Sequence, residues 1–185
     1  MTSRPPAEIA LLGFATGVAL AETIDAILGP GRATLKWPND VFIDDAKASG
    51  IMLDSGTLTS GEAWVALAFG VNLADAPDNV DQPTISLRAV LPPDAAAPEP
   101  LAFLDALRPK LEAWSLRIER DGFEALRGAW LARAHGLGQI ARVVQGDVTL
   151  EGRIAGLSTR GELELDTPTG RRLIAAGDVF LPKAG

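Results

Sequence analysis

The chain has no cysteine, which excludes disulfides, thiolate metal sites and a cysteine nucleophile. It has one histidine, His135, so imidazole clusters are excluded as well. Positive charge is scarce: 17 Lys and Arg stand against 24 Asp and Glu, a net charge of −7. An acidic chain repels phosphate backbones, so a large nucleic-acid surface is not expected. A small basic pocket for one nucleotide remains compatible. Long apolar runs are missing too. Residues 9–21 are apolar and end in Ala19-Leu20-Ala21, like a cleavage site, but Arg4 is the sole basic residue ahead and Glu8 opposes it. Glu22 and Asp25 stop the run short of the roughly 20 residues of a membrane span. A buried helix is the expectation, with no membrane contact and a cytoplasmic setting. There is no internal repeat, and the one low-complexity stretch is the Pro/Ala-rich 92–100 connection.

What is present is a globular balance of 47% hydrophobic and 22% charged residues over 185 positions. Pro5-Pro6 opens a helix in which Leu11, Phe14, Val18 and Ala21 share one face, until Gly29-Pro30-Gly31 stops it. Short strands follow at 33–37 and 41–43, joined to longer ones at 49–54 and 64–73. The last is almost continuously apolar, which predicts a central strand. Leu101, Leu104, Leu107, Leu111, Trp114 and Ile118 recur at helical spacing, and Phe123, Leu126, Trp130 and Leu131 mark another helix. His135 is expected at a helix C-terminus. Beyond Gly138 the period falls to two, giving four or five short strands of a small barrel.

The chemistry concentrates in Lys36-Trp37-Pro38-Asn39-Asp40, then Lys47 and Gly50-Ile51-Met52. Two ammonium groups and an amide are thereby placed near one sheet edge. Lysine offers a compact charge to carboxylate and phosphate oxygens, and Asn a donor and an acceptor. Glycine permits close approach of a ligand to the backbone. The ordinary alternatives are solvated strand-end lysines and an Asn-Asp turn. Asn72 fits a strand-terminating cap as well as a ligand contact. Asp44, Asp45 and Asp54 read as turn and surface residues rather than a metal cluster.

That segment resembles the signature of the biotin protein ligases. Gly70-Val71-Asn72-Leu73 resembles a later family segment, Thr84-Ile85-Ser86-Leu87 resembles its Thr-Ser-Leu element, and 138–181 its SH3-like end. The resemblance implies an α+β fold: a mixed sheet with packed helices (1–136, a partial catalytic domain), then an SH3-like barrel (137–185). It implies biotinyl-5′-AMP formation from biotin and ATP, with Mg²⁺ arriving on ATP and no protein metal site. Biotin transfer to a lysine of a biotin carboxyl carrier domain follows. Lys47, Lys36 and Asp40 become catalytic candidates. Gly50, Ile51, Met52 and Ala68 become biotin contacts, and Trp37, Asn39 and Asn72 nucleotide contacts, with loop support as a second role for Trp37. A homodimer is an open option. The sequence departs from the family in having no Gly-Arg-Gly-Arg-x-Gly-Arg cluster, and in Ala68 and Asp54 where glycine and glutamate are usual. Weak biotin binding and little adenylation are expected on that account. The competing expectations are an inactive carrier-binding or dimerising remnant, a lipoate ligase or octanoyltransferase, and a free SH3-like module.

Overall fold

A computed structural model describes residues 6–80 and 82–182; Arg4 and Pro5, expected to lead into the first helix, lie outside them. Helix α1 (Pro6–Leu28) forms as its apolar stripe predicts. Phe14, Val18, Leu20, Ala21 and Ile24 are all buried. The window 11–28 is apolar enough to cross a membrane by length and composition, but two thirds of it is buried inside the protein. Asp25 shapes the turn that follows. Its carboxylate accepts the backbone N–H groups of Gly31 (3.0 Å) and Ala33 (2.9 Å) and pairs with Arg133 at 2.5 Å.

Four strands pair in the order β1 (Ala33–Lys36), β2 (Asp40–Ile43), β3 (Ala46–Thr57), β4 (Ala63–Val71). Among the described residues every ladder of this sheet is antiparallel, and parallel pairing is limited to the isolated bridges Leu35–Ala134 and Lys47–Thr84. Side chains alternate across a pleated sheet. Leu35, Val41, Ile43 and Ile51 therefore pack inward, with Gly13 and Gly17 of α1 close over Leu53 and Ile51. The register puts Lys36 opposite Asp40, Phe42 opposite Lys47, Gly50 opposite Gly70, and Met52 opposite Ala68 on the other face. A bulge between Val41 and Phe42 lets β3 keep both Ser49 and Lys47 on their proper faces.

The strand expected over 64–73 lies at the end of this four-stranded run as described, not in its middle. Among the described residues β4 has a neighbour on one side only, and Trp64 and Leu67 are each 37% exposed. A continuous apolar run records hydrophobicity, and carries no information about whether a further strand lies alongside.

The short helix α2 (Leu87–Val90) is capped by Ser86, whose hydroxyl accepts the Ala89 N–H. Helices α3 (Pro100–Asp121) and α4 (Phe123–Leu131) turn at Gly122, at φ 73°. Trp114 lies in the core, and its ring N–H reaches both oxygens of Glu22 at 3.2 Å. The five remaining strands are β5 (Ile140–Gln145), β6 (Val148–Leu157), β7 (Leu163–Thr167), β8 (Gly170–Ile174) and β9 (Asp178–Phe180). They order as β8-β7-β6-β5-β9, the SH3-like unit, around Val143, Leu157, Leu163, Leu165 and Ile174. One apolar core runs through both units.

Candidate functional site

The outer face of β1–β4 gathers most of the candidate residues. Lys47 reaches back over Gly50, with Cε 3.1 Å and Nζ 3.3 Å from where a Cβ on Gly50 would stand. Its ammonium lies 2.6 Å from Asp40 Oδ1. That contact is a charge pair without hydrogen-bond geometry, and the buried Oδ1 has no hydrogen-bond partner. Lys36, at the end of β1, is half-buried, and its ammonium lies 3.5 Å from Gln82 Oε1. Burial lowers its pKa from the usual lysine value, and neighbouring Lys47 adds to this, while Asp40 and Asp178 oppose it.

Beside these charges is a floor of little relief. Gly50 and Gly70 face each other across β3 and β4, and a Cβ on Gly70 would meet nothing within 4 Å. Met52 is 71% exposed and pairs with exposed Ala68. Such a surface offers cations at one end and apolar contact at the other.

Two candidates are placed differently. Ile51 faces α1 and is 2% exposed, so its side chain does not line this surface. The strand period of two forbids Gly50, Ile51 and Met52 from sharing a face; Ile51 contributes only backbone, exchanging hydrogen bonds with Asn39. Trp37 is 4% exposed, and its ring N–H donates to the Gly161 carbonyl at 3.0 Å in the second unit. Of the two roles expected of it, supporting the loop fits this burial. Asn39 donates from Nδ2 to the Ile51 carbonyl at 2.7 Å. Asn72 donates from Nδ2 to the carbonyls of Lys47 (3.2 Å) and Ile85 (3.1 Å), which ties 84–87 to β3. Both amides hold backbone beside the lysines.

His135 lies beyond α4, which ends at Leu131, rather than within a helix. Its ring stacks on Phe42 (centroids 4.9 Å apart), and Phe42 lies 5.2 Å beneath the Lys36 ammonium. Sequence reasoning missed Phe42, Gln82 and Gly70 as site residues. The even spacing Ala66, Ala68, Gly70 is a signal for Gly70; nothing local marks Gln82. Asp44 and Asp45 occupy a turn at φ 48° and 62°, Asp44 pairing with Arg32. Among the described residues no group of three His, Cys, Asp or Glu is placed to hold a metal ion.

The biotin protein ligase C-terminal domain family matches residues 136–181. A biotin–[acetyl-CoA-carboxylase] ligase of Paracoccus denitrificans is 37% identical over 174 residues, covering 92% of this chain and 72% of that protein. One from Mycobacterium tuberculosis is 29% identical, covering 91% of the chain but 61% of that protein. In structure, the biotin protein ligase of Aquifex aeolicus in complex with biotin and ATP superimposes with a TM-score of 0.78. Its sequence identity is 20%, over 95% of this chain and 72% of that one. The identity to the Paracoccus enzyme, over most of both chains, shows that this chain belongs to the biotin protein ligase family.

Proposed function

We propose that this chain supplies the lysine-bearing face of an ATP-dependent biotin protein ligase. The observation that carries the reading is the Lys47 ammonium lying over Gly50, beside Asp40 and Lys36, at the head of an apolar floor. A biotin carboxylate oxygen attacks the α-phosphorus of ATP; the bond to the β-phosphate bridge breaks and pyrophosphate leaves. The amine of a carrier-domain lysine then attacks the acyl carbon, releasing AMP and leaving an amide after loss of a proton. Negative charge gathers on oxygen in both steps, so a fixed ammonium serves both. Lys47 contacts the carboxyl and α-phosphate oxygens, and Lys36 adds to the positive field. Asp40 holds Lys47 before substrate arrives and orients the incoming amine. Gly50, Gly70, Met52 and Ala68 form the floor for biotin, and Asn39 and Asn72 fix the backbone on the adenylate side.

Mg²⁺ arrives on the ATP phosphates, whose oxygens suit a hard cation that keeps several of its waters. In the same reading 1–136 is the partial catalytic domain and 137–185 the C-terminal domain. The partner is a biotin carboxyl carrier domain, with a second copy of the chain as a further option and a cytoplasmic setting. The second reading of the same face is a carrier-binding module without adenylation. Calorimetric titration with biotin plus MgATP, repeated on Lys47→Ala, separates the two. Saturable heat that the variant loses supports the ligase. A folded chain giving no heat overturns it.

A further inference from the structure

We infer that the Phe42 ring, fixed by its stack on His135, is a positioning platform that holds the Lys36 ammonium over the ligand face of the sheet. Lysine has a flexible four-carbon stem, so a useful ammonium position needs a cause. The acceptor contact at Lys36 is the 3.5 Å approach to Gln82 Oε1, at the limit of hydrogen bonding. The Phe42 ring lies 5.2 Å below, within the range in which a cation is drawn to an aromatic face. Phe42 is 4% exposed, so water competes little for that face.

The ring is itself held. The 133–135 segment runs alongside β1: Leu35 N–H donates to the Arg133 carbonyl and His135 N–H to the Leu35 carbonyl, both at 2.8 Å. This delivers the imidazole onto Phe42 with the rings 29° from parallel. His135 Nδ1 lies 3.4 Å from Thr34 Oγ1 and 3.7 Å from Asp45 Oδ1, which fixes the imidazole from the side. Burial, with Lys36 close by, depresses the His135 pKa against the pull of Asp45. A neutral ring under Phe42 does not repel Lys36. Phe42 also stands opposite Lys47 in the β2–β3 register, so one residue sits between the two lysines of the site. This role rests on the proposed ligase reading for its purpose, and on geometry alone for its existence.

The test replaces Phe42 with phenylalanines carrying progressively more ring fluorine, which drain the face of negative charge while keeping its shape. The Lys36 titration is followed by NMR of lysine labelled at Cε, and affinity by titration with biotin plus MgATP. The proton affinity of Lys36 is expected to fall about two- to fivefold across the series, with ligand affinity falling in parallel. Phe42→Leu should behave as the most fluorinated ring, and Phe42→Trp should restore the native titration. An unchanged Lys36 titration across the fluorinated series overturns the platform. A changed titration with unchanged affinity in a binding-competent chain overturns its role in positioning. A wild-type chain that binds no ligand sinks the ligase reading, while the NMR series still decides whether Phe42 holds Lys36.

Discussion

The Lys47 ammonium and the Asp40 carboxylate meet at 2.6 Å across Gly50, one from β3 and one from β2, with 29% and 12% of their side chains exposed. Partly buried ions depend on each other more than surface pairs do. Lys47→Met leaves a largely buried carboxylate without its nearest cation, and Asp40→Asn leaves two lysines without their shared anion. Each is expected to cost about 1–3 kcal/mol, while the double variant costs less than the sum, a coupling of about 1–2 kcal/mol. Urea unfolding of the four proteins measures this; strict additivity would show the pair to be incidental.

The two facing glycines make opposite predictions about stability. At Gly50 a methyl meets Lys47 Cε at 3.1 Å, and the far end of a flexible side chain gives way. Gly50→Ala should displace the ammonium from Asp40 and destabilise by about 1–2 kcal/mol, the loss of that pair outweighing the propensity gained by leaving glycine. At Gly70 a methyl meets nothing, and the gain in strand propensity is about 0.5–1 kcal/mol. Both should weaken biotin binding about tenfold or more in a titration, Gly50→Ala by moving the cation and Gly70→Ala by raising the floor. Unimpaired binding by Gly70→Ala would place the ligand elsewhere.

Much of this site was legible in the sequence because strand and helix periods are local. The facing of Phe14, Val18 and Ala21, and the nearness of Lys36, Asp40 and Lys47 on adjoining strands, follow from spacing. That Lys47 shares a face with Gly50 needs the bulge between β2 and β3, which spacing does not show. The same period should have excluded Ile51 from the ligand face once Gly50 and Met52 were placed on it. What was not legible depends on distant chain. Trp37 and Gly161 are 124 residues apart, Lys36 and Gln82 46 apart, and no spacing rule joins them. The edge position of β4 belongs to the same class, because apolar content does not count neighbours. Four residues of α2 are too few for a helical period to show.

The joint between the two units rests on Gly161 and Trp37. Gly161 adopts φ +81°, and a Cβ there would stand 2.8 Å from Phe14 Cε2, so Gly161→Ala combines backbone strain with a clash against α1. It should cost about 2–4 kcal/mol. Trp37→Phe keeps most of the ring but removes the N–H donated to the Gly161 carbonyl, for about 1–2 kcal/mol. Guanidinium unfolding monitored by circular dichroism checks both, and a Gly161→Ala as stable as wild type would show that this turn carries no load at the joint.

His135 sets the response of stability to mild acid. Burial lowers its pKa first, Lys36 assists, and Asp45 opposes. The unfolded imidazole titrates near 6.5, above the folded one. Between those two values the unfolded chain carries a proton that the folded chain refuses, so stability rises with pH there. The contribution is complete above pH 6.5, declines as pH falls toward the folded value, and is level below it. Other shifted groups act elsewhere. Burial raises the Asp25 pKa, but the Arg133 pair and two backbone N–H groups outweigh it, so its contribution is lost only below 3.8. Burial lowers the Lys36 pKa, so it acts in the same sense as His135, in a window whose upper bound is the ordinary lysine value of 10.5. Urea midpoints at pH 7.5, 6.5 and 5.5 should therefore fall in wild type. In His135→Gln, which has no titrating ring, they should be nearly flat whatever their absolute level. An equal slope in both proteins would assign the acid sensitivity to carboxylates instead.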